Sequence, residues 1–300
     1  MSLYGKLQKL QPSIFHKMID LHSHSTFSDG SFTPRELAKH AKELGLSALA
    51  LTDHDTTAGL DQFMAACSEF GIAGVPGVEI SVDVRSGTMH MLGYFIDNKS
   101  DKLEQVLRRI RSGREDRNTE ILEKLNALGL RLTFEEVSAF ASEDVIGRPH
   151  FALAMLKKGY VSTKDAAFDL YLGKGKPAYA ERYRLSASES IAAIVDAGGV
   201  SVLAHPFTLD LNRSALRDFI KDMKGKGLQG IEVYYSEHNS EQQREYESLA
   251  NEFDLLTTGG SDFHGQLNPK VELGRGFGNL KINNHILEDL EKRRNGRLGG

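Results

Sequence analysis

Histidines and carboxylates recur in this sequence at the ends of short apolar runs. Six of the 11 histidines lie there, and three acidic residues occupy similar positions. The nine residues are His22, His24, Asp29, His54, Glu79, His90, His205, Asp262 and His264. Buried charges without partners are costly, and metal ions are the natural partners of such a set. The pattern therefore predicts a metal site.

The spacing of these residues indicates how they could share ions. Residues two apart on a strand point to the same side, so His22 and His24 can bind one ion together, as can Asp262 and His264. Imidazole and carboxylate ligands without thiolate suit zinc, manganese or iron. Nine ligands exceed what one tetrahedral ion needs, so we expect two or three divalent ions.

Short β-rich runs carry these residues. They are residues 18–25, 48–55, 74–81, 88–96, 199–206, 230–235 and 255–264. Stretches with helical periodicity separate most of them, which predicts parallel strands alternating with helices. The C-terminal ends of parallel barrel strands share one rim, so ligands distant in sequence would converge there. Seven runs favour a closed barrel over an open sheet.

Residues 99–185 interrupt this alternation with a charged segment rich in helix formers. We therefore predict a barrel built from residues 18–98 and 186–285, with 99–185 as a helical insertion that covers the substrate site. Residues 1–17 and 286–300 are expected to be peripheral termini.

Composition and charge exclude several other classes of protein. Cys67 is the only cysteine, which excludes disulfides and cysteine zinc sites, and its helical context predicts a core residue. A net charge of −4 argues against coating nucleic acid or an anionic membrane. Since no segment resembles a membrane span or a signal peptide, we expect a cytoplasmic protein with no membrane partner and no obligate protein partner. The remaining histidines, apart from His150, are expected at the surface: His16, His40, His238 and His285.

The motifs that carry the nine residues resemble those of a known family. They are IDLHSHSTFSDGSFTP, LALTDHDT, GVEIS, MHMLGY, LAHP and GGSDFHG, in this order along nearly the whole chain. Together they resemble the polymerase and histidinol phosphatase (PHP) superfamily of metal-dependent phosphoesterases. The resemblance implies an α/β fold, namely a distorted seven-stranded barrel with a trinuclear metal site, and here with a helical insertion.

The resemblance also implies how three ions would share the ligands. The implied sets are His22, His24, Glu79 and Asp262; Asp29, His54 and His205; and Glu79, His90 and His264, with Glu79 bridging. Clustered ions would lower the pKa of a bound water, and the resulting hydroxide would attack phosphorus. Glu79, His205 and His264 are the catalytic candidates, and the leaving group would take its proton from His205, His264 or a metal-bound water.

The segments Gly147–His150 and Leu172–Tyr179 are similar to a stand-alone branch of this family. Members of the branch act on nucleotides, notably 3′,5′-bisphosphonucleotides, and some are 5′→3′ exoribonucleases on short RNA. The resemblance thus implies a phosphatase of AMP or 3′,5′-bisphosphonucleotides, or an enzyme acting on 5′ ends of short RNA. Histidinol phosphatases of the family usually have histidine where this chain has Asp29, which argues against that substrate.

A phosphate that the ions do not hold needs cationic side chains. Arg148 and His150, in the segment GRPH, are the first candidates. Arg114 and Arg117 lie three apart on one helix face and could line a cleft between insertion and barrel. Phe151 and Tyr179 are the aromatic residues considered for stacking on a base. Packing in an apolar core would explain both residues equally well.

Three other functions remain open at this point. An amidohydrolase barrel also has an HxH pair on its first strand, but it would use a bridging lysine, and no strand end here carries one. A histidinol-phosphate phosphatase is disfavoured by Asp29. A non-catalytic metal-bound module is disfavoured by the intact set of ligands. A phosphoester panel with metal analysis separates these possibilities.

Overall fold

The computed structural model describes residues 18–84, 86–140 and 146–298, with side chains up to residue 296. The predicted peripheral segment 1–17 lies outside the described residues. Within the described part, none of the helices combines the length and apolar character that a membrane span requires.

Seven strands form one sheet in the order of the chain. They are β1 (Ile19–Asp20), β2 (Ala48–Leu51), β3 (Ala73–Val82), β4 (Met89–Tyr94), β5 (Val200–Leu203), β6 (Gly230–Tyr235) and β7 (Leu256–Gly260). Each strand falls within or across one of the β-rich runs in the sequence. The edges of the sheet also meet, because the amides of Leu21 and His24 donate to the carbonyls of Gly259 (3.2 Å) and Phe263 (3.0 Å).

The sheet is mixed, whereas the alternation of strands and helices predicted parallel strands. β4 runs antiparallel to both β3 and β5, and the other neighbouring strands are parallel. The physical reason is the connection between β3 and β4, which is too short for the crossover that parallel strands need. The beginning of β4 therefore lies at the rim where its neighbours end, and this brings His90 beside β3, opposite Ser81.

Ten α-helices surround and extend the sheet in the described residues. They are α1 (Pro34–Glu43), α2 (Leu60–Phe70), α3 (Asp101–Ala127), α4 (Phe134–Ser138), α5 (Arg148–Lys157), α6 (Lys164–Ala167), α7 (Ala187–Asp196), α8 (Arg213–Gly225), α9 (Ser240–Glu252) and α10 (His285–Leu298). Local sequence explains where they begin. In α1, for example, Thr33 caps the first turn, Pro34 occupies the first position and Glu36 completes a capping box.

The apolar residues of the strands divide between two cores. Leu49 and Leu51 of β2 pack toward the surrounding helices, while Ala48 and Ala50 face the opposite side, as strand alternation requires. The second core also contains Ile286, Leu287 and Leu290, which are buried residues of α10. The expectation that residues after 285 are peripheral was wrong, because these apolar side chains cover the sheet.

The segment between β4 and β5 contains α3 to α6 and a single-turn π-helix (Phe168–Leu172). It has an apolar core of its own, to which Ile121 and Leu125 of α3 contribute. The first half of the same helix packs elsewhere, since Leu107 and Ile110 lie in the core of the barrel. α3 therefore packs against both the barrel and the helical segment and links the two.

Candidate metal centre

The structure brings all nine predicted ligand residues together at one rim of the sheet. His22 and His24 follow β1, His54 follows β2, and Glu79 lies within β3 directly opposite His54. The remaining residues come from the loop before α1, from β4, and from the segments after β5 and β7: Asp29, His90, His205, Asp262 and His264. Eight of the nine, all but His205, form three overlapping groups with ligand spacing.

The most buried group consists of His22, His24, Glu79 and Asp262. The Nε2 atoms of His22 and His24 both lie 3.3 Å from Glu79 Oε2. They lie 3.3 and 3.0 Å from Asp262 Oδ1. This is the first of the three sets that the family resemblance implied.

The second group joins His24, Asp29, His54 and His264. Asp29 is central, with Oδ1 at 3.2 Å from His264 Nε2 and Oδ2 at 3.7 Å from His54 Nε2. The third group contains His54, Glu79 and His90, with His90 Nδ1 at 2.9 Å from Glu79 Oε1.

The implied grouping of two histidines needs correction. His205 was expected beside Asp29 and His54, but its Nε2 lies 3.0 Å from Glu79 Oε1. His264 was expected beside His90, but it contacts Asp29. The reason is strand order, since β5 neighbours β4 whereas β7 closes against the β1 edge that leads to Asp29.

Unpartnered polar atoms test whether the residues fit metal ions. Among the described residues, seven buried atoms of this cluster have no hydrogen-bond partner. They are the Nε2 atoms of His22 and His24, the Nδ1 atoms of His54 and His90, and Asp29 Oδ1, Glu79 Oε2 and Asp262 Oδ1. Buried polar atoms are almost always hydrogen-bonded. These atoms lie close to one another without hydrogen-bonding geometry, so the donor set fits divalent cations.

The protonation equilibria of the cluster show how strongly its charges interact. Burial alone would lower the pKa of His24, but Asp262 and Glu79 outweigh it and raise that pKa to about 10. Burial prevails at His54, whose pKa falls to about 4 despite Glu79 and Asp29. The surrounding imidazoles hold the pKa of Glu79 well below its usual range although burial opposes this. The carboxylates thus stay ionised and available as ligands.

A buried glutamate that sequence reasoning left without a role orients two of the histidines. Glu232 Oε1 lies 3.0 Å from His22 Nδ1, and Glu232 Oε2 accepts the backbone N–H of His205 at 2.8 Å. A proton on Nδ1 of His22 leaves the lone pair of Nε2 facing the cluster. The signal in the sequence was a glutamate in the middle of the apolar strand GIEVYY.

Other buried polar groups hold the loops that carry the ligands. The Tyr235 hydroxyl donates to Asp262 Oδ2 at 2.9 Å. Asp53 accepts hydrogen bonds from the hydroxyls of Ser25 (2.6 Å) and Ser28 (2.7 Å), which flank Phe27 in the loop leading to Asp29.

The backbone is also constrained at the rim. Asp55, His205 and Asp262 have positive φ angles of 55°, 22° and 57°, a region that residues other than glycine rarely occupy. Such conformations persist where the surrounding contacts enforce them, and they concentrate at functional sites.

Arginines gather beside the cluster, some of them predicted and some not. Arg114 Nη2 contacts Asp55 Oδ2 at 2.5 Å, so this predicted substrate residue is held by a carboxylate. Arg117 is buried, with Nε donating to Asn118 Oδ1. Burial and the nearby guanidinium groups of Arg114 and Arg148 lower the pKa of Arg117 to about 10.

Sequence reasoning missed Arg182 and Arg184. Burial lowers the pKa of Arg182 to about 9. The positive charges of Arg114 and Arg184 lower it further. Their signal was weak, because the segment AERYRL has the composition of an ordinary solvated loop. The last predicted residue, His150, caps its own helix by accepting the N–H of Gly147 on Nδ1 (3.0 Å).

Two further expectations can be checked. His238 was expected at the surface, but it is 3% exposed and packs against Tyr235 and Tyr246. Phe151 is fully buried in the core of the helical segment, so it is not available to stack on a base. The prediction for His16 lies outside the described residues.

Comparison with known proteins identifies similar sequences over most of the chain. A model of the PHP domain matches residues 20–274. The 5′-3′ exoribonuclease of Haemophilus influenzae is 35% identical over 276 residues, which cover 92% of this chain and 99% of that protein. The 3′,5′-nucleoside bisphosphate phosphatase of Chromobacterium violaceum is 36% identical over 247 residues, which cover 82% of this chain and 87% of that protein.

A solved structure is similar over the same extent. It is a candidate metal-dependent phosphoesterase from Bifidobacterium adolescentis, with a TM-score of 0.77 and 33% sequence identity. The match covers 92% of this chain and 96% of that chain.

Proposed function

The chain belongs to the PHP domain family and is a metal-dependent phosphoesterase, and from this premise we propose that it hydrolyses phosphate monoesters of nucleotides. The family, the barrel fold and the enzyme class agree with the predictions from sequence. The proposed substrates are AMP, 3′,5′-bisphosphonucleotides and the 5′ ends of short RNA. The observation that carries the proposal is a group of arginines without carboxylate partners beside the converging ligand residues.

The three groups described above would hold two or three divalent ions, with manganese, iron and zinc as the candidates. When bound, such ions activate water as a nucleophile and neutralise the oxygens of a phosphate. The chain contributes the fixed positions of the ligands. Glu79 contacts histidines with both carboxylate oxygens, which suits a bridging ligand between two groups.

The arginines would bind phosphate groups of the substrate. Among the described arginines that interact electrostatically with one another around Arg114, four form no salt bridge with a carboxylate: Arg117, Arg148, Arg182 and Arg184. Uncompensated positive charges that lie close together favour an anion, and guanidinium groups match phosphate geometry. We assign this role first to the predicted residues Arg117 and Arg148 and add Arg182 and Arg184. The other predicted residues, Arg114 and His150, remain candidates although Asp55 holds Arg114 and His150 caps its own helix.

His205 and His264 are proposed as alternative proton donors to the leaving oxygen, a role that either can take only where its Nε2 does not hold an ion. His205 and His264 are both fixed through Nδ1, which lies 3.1 Å from Thr208 Oγ1 in the first case and 2.8 Å from the carbonyl of Asp262 in the second. His264 is the more accessible, with 17% of its side chain exposed against 6% for His205. A substrate therefore reaches His264 more easily.

The relatives support nucleotide substrates in two forms. The Chromobacterium violaceum protein is named for 3′,5′-nucleoside bisphosphates and the Haemophilus influenzae protein for RNA. Short RNA is therefore the second candidate substrate. The similarity to the exoribonuclease supports it, because that similarity covers 92% of this chain.

The proposal is tested by measuring kcat/KM on a panel of phosphoesters with the metal-loaded protein. The panel contains AMP, 3′,5′-bisphosphoadenosine, histidinol phosphate and a short 5′-phosphorylated RNA, together with an amide and a lactone. We expect the highest kcat/KM for the bisphosphate or the RNA. The Arg117→Ala variant should lose more activity on the bisphosphate than on AMP, since the bisphosphate has a second phosphate to hold.

The matched control is Arg108→Ala, on the same helix, where the side chain is 70% exposed. It should leave the whole panel unchanged. Preferred hydrolysis of histidinol phosphate would contradict the substrate assignment. Preferred hydrolysis of the amide or the lactone would indicate an amidohydrolase, and a metal-loaded protein inert toward the whole panel would indicate a non-catalytic module.

A further inference from the structure

We propose that Phe27 and Phe134 form a stacking site for the nucleobase of the substrate, a proposal that rests on the function proposed above. Both side chains line one cavity of about 770 Å³, together with His54 of the ligand cluster. Cavities of several hundred Å³ are typical of sites for small molecules. The cavity therefore begins at the candidate metal centre and ends at two aromatic rings.

The exposure of the two rings is unusual. Phe27 is 42% exposed and Phe134 45% exposed, and the other phenylalanine of comparable exposure in the described residues is Phe277, at 49%. Phe277 does not line this cavity. Exposed aromatic rings facing a common cavity are costly in water, and a planar base that stacks on them removes that cost.

Phe27 is held in place although its ring is exposed. Its N–H donates to Ser25 Oγ at 3.2 Å, within the loop that also carries His24 and Asp29. Its ring lies against the backbone of Gly59, so closely that a Cβ atom at Gly59 would meet Cδ2 at 3.0 Å. The ring is therefore positioned by the same loop that positions the ligand residues.

Phe134 approaches from the helical segment. It is the first residue of α4, and a capping box between Thr133 and Glu136 fixes that turn. Val137, three residues further along, is buried in the apolar core of the segment. The barrel thus supplies one ring and the helical segment the other.

Three of the polar side chains that line the cavity already have partners: Arg111, Arg114 and Asn118. Arg111 Nη1 and Arg114 Nη2 are occupied by the carbonyl and the carboxylate of Asp55. Asn118 accepts from Arg117 and donates to the carbonyl of Ile146. Since these groups already have partners, they offer little to the edge of a base. Stacking alone tolerates different bases.

The test compares two substrates in single variants, Phe27→Ala and Phe134→Ala. The substrates are 3′,5′-bisphosphoadenosine and ribose 5-phosphate, which lacks a base, and the readout is the ratio of their kcat/KM values. We expect each variant to lower this ratio by about tenfold, and Phe27→Tyr and Phe134→Tyr to restore it. Replacing adenine by hypoxanthine should change kcat/KM little. Phe277→Ala is the control and should leave both substrates unchanged.

An unchanged ratio, or equal losses on both substrates, would overturn the stacking site. Calorimetric binding of 3′,5′-bisphosphoadenosine separates this result from failure of the proposed function. If the wild type binds the nucleotide without hydrolysing it and the alanine variants bind it more weakly, the function fails and the stacking site stands. If the wild type neither binds nor hydrolyses it, both fail.

Discussion

Glu232 is a buried carboxylate that contacts two histidines of the cluster. It contacts the ring of His22 and the backbone of His205, and both histidines in turn contact Glu79. A carboxylate in this position fixes the tautomer of a ligating histidine and increases its basicity. Its effect on metal binding should therefore be large although it is not itself a proposed ligand.

We expect Glu232→Gln to weaken metal binding by about 10- to 100-fold, because the amide keeps the volume but removes the negative charge. Competition with a fluorescent chelator measures this affinity. Glu247→Gln is the matched control, since Glu247 accepts a hydrogen bond from Tyr234 (2.8 Å) away from the cluster. Unaltered metal affinity in Glu232→Gln would show that the histidines are positioned without it.

Cys67 has a reactive type of side chain, but its environment does not make it reactive. It is 1% exposed within α2, and burial raises the pKa of its thiol to about 12. We expect no reaction with Ellman's reagent at pH 8 in the native protein and one thiol per chain after denaturation. Rapid reaction of the native protein would place Cys67 at an accessible surface and contradict its assignment to the core.

At the scale of elements, α3 connects the helical segment to the loop after β2. Arg111 and Arg114 reach Asp55, whose φ angle of 55° shapes the backbone beside His54. Asp55 also accepts hydrogen bonds from the backbone and the hydroxyl of Ser81. The position of His54 thus depends on contacts from two other elements.

We expect Arg114→Ala to lower the free energy of unfolding by about 3 kcal/mol, because it removes the cation that directly contacts the buried Asp55 carboxylate. Urea denaturation measures the change. Arg108→Ala removes an exposed ion pair from the same helix and should cost less than about 1 kcal/mol. Equal effects of the two substitutions would mean that the Arg114–Asp55 pair does not anchor α3.

The last helix, α10, is an element of the barrel core. Leu290 is fully buried among strand residues. Leu290→Ala should therefore lower the free energy of unfolding by about 2–5 kcal/mol, whereas Leu170→Ala, at a position 55% exposed, should change it little. Urea denaturation of the two variants distinguishes a packed helix from a peripheral one, for which both would have small effects.

The order of elements was largely predictable from sequence, but their directions were not. Apolar runs locate every strand, since strand residues are buried on both faces. The reversal of β4 depends on a short connection that periodicity does not reveal. His90 was assigned to the correct rim on the assumption of parallel strands, and it reaches that rim because β4 begins there.

At the scale of the whole molecule, a net charge of −4 conceals a local concentration of arginines beside the ligand cluster. The convergence of the nine candidate ligand residues was predictable because metal ligands require particular side chain types at strand ends. Glu232, Arg182 and the grouping of His205 and His264 were not, because they depend on contacts between segments distant in sequence. The cavity lined by Phe27 and Phe134 was not predictable for the same reason, because the barrel and the helical segment form it together.

The central claim is that the nine-residue cluster is a divalent metal centre on which phosphoester hydrolysis depends. The most direct measurement follows phosphate release from 3′,5′-bisphosphoadenosine while metal is removed and then returned, with metal per chain determined in parallel. We predict no activity after removal, recovery in proportion to metal bound, and saturation at two or three ions per chain. His24→Ala, His54→Ala and Glu79→Ala should each bind less metal and lose most activity. Full activity in the metal-free protein, or in all three variants, would contradict the claim.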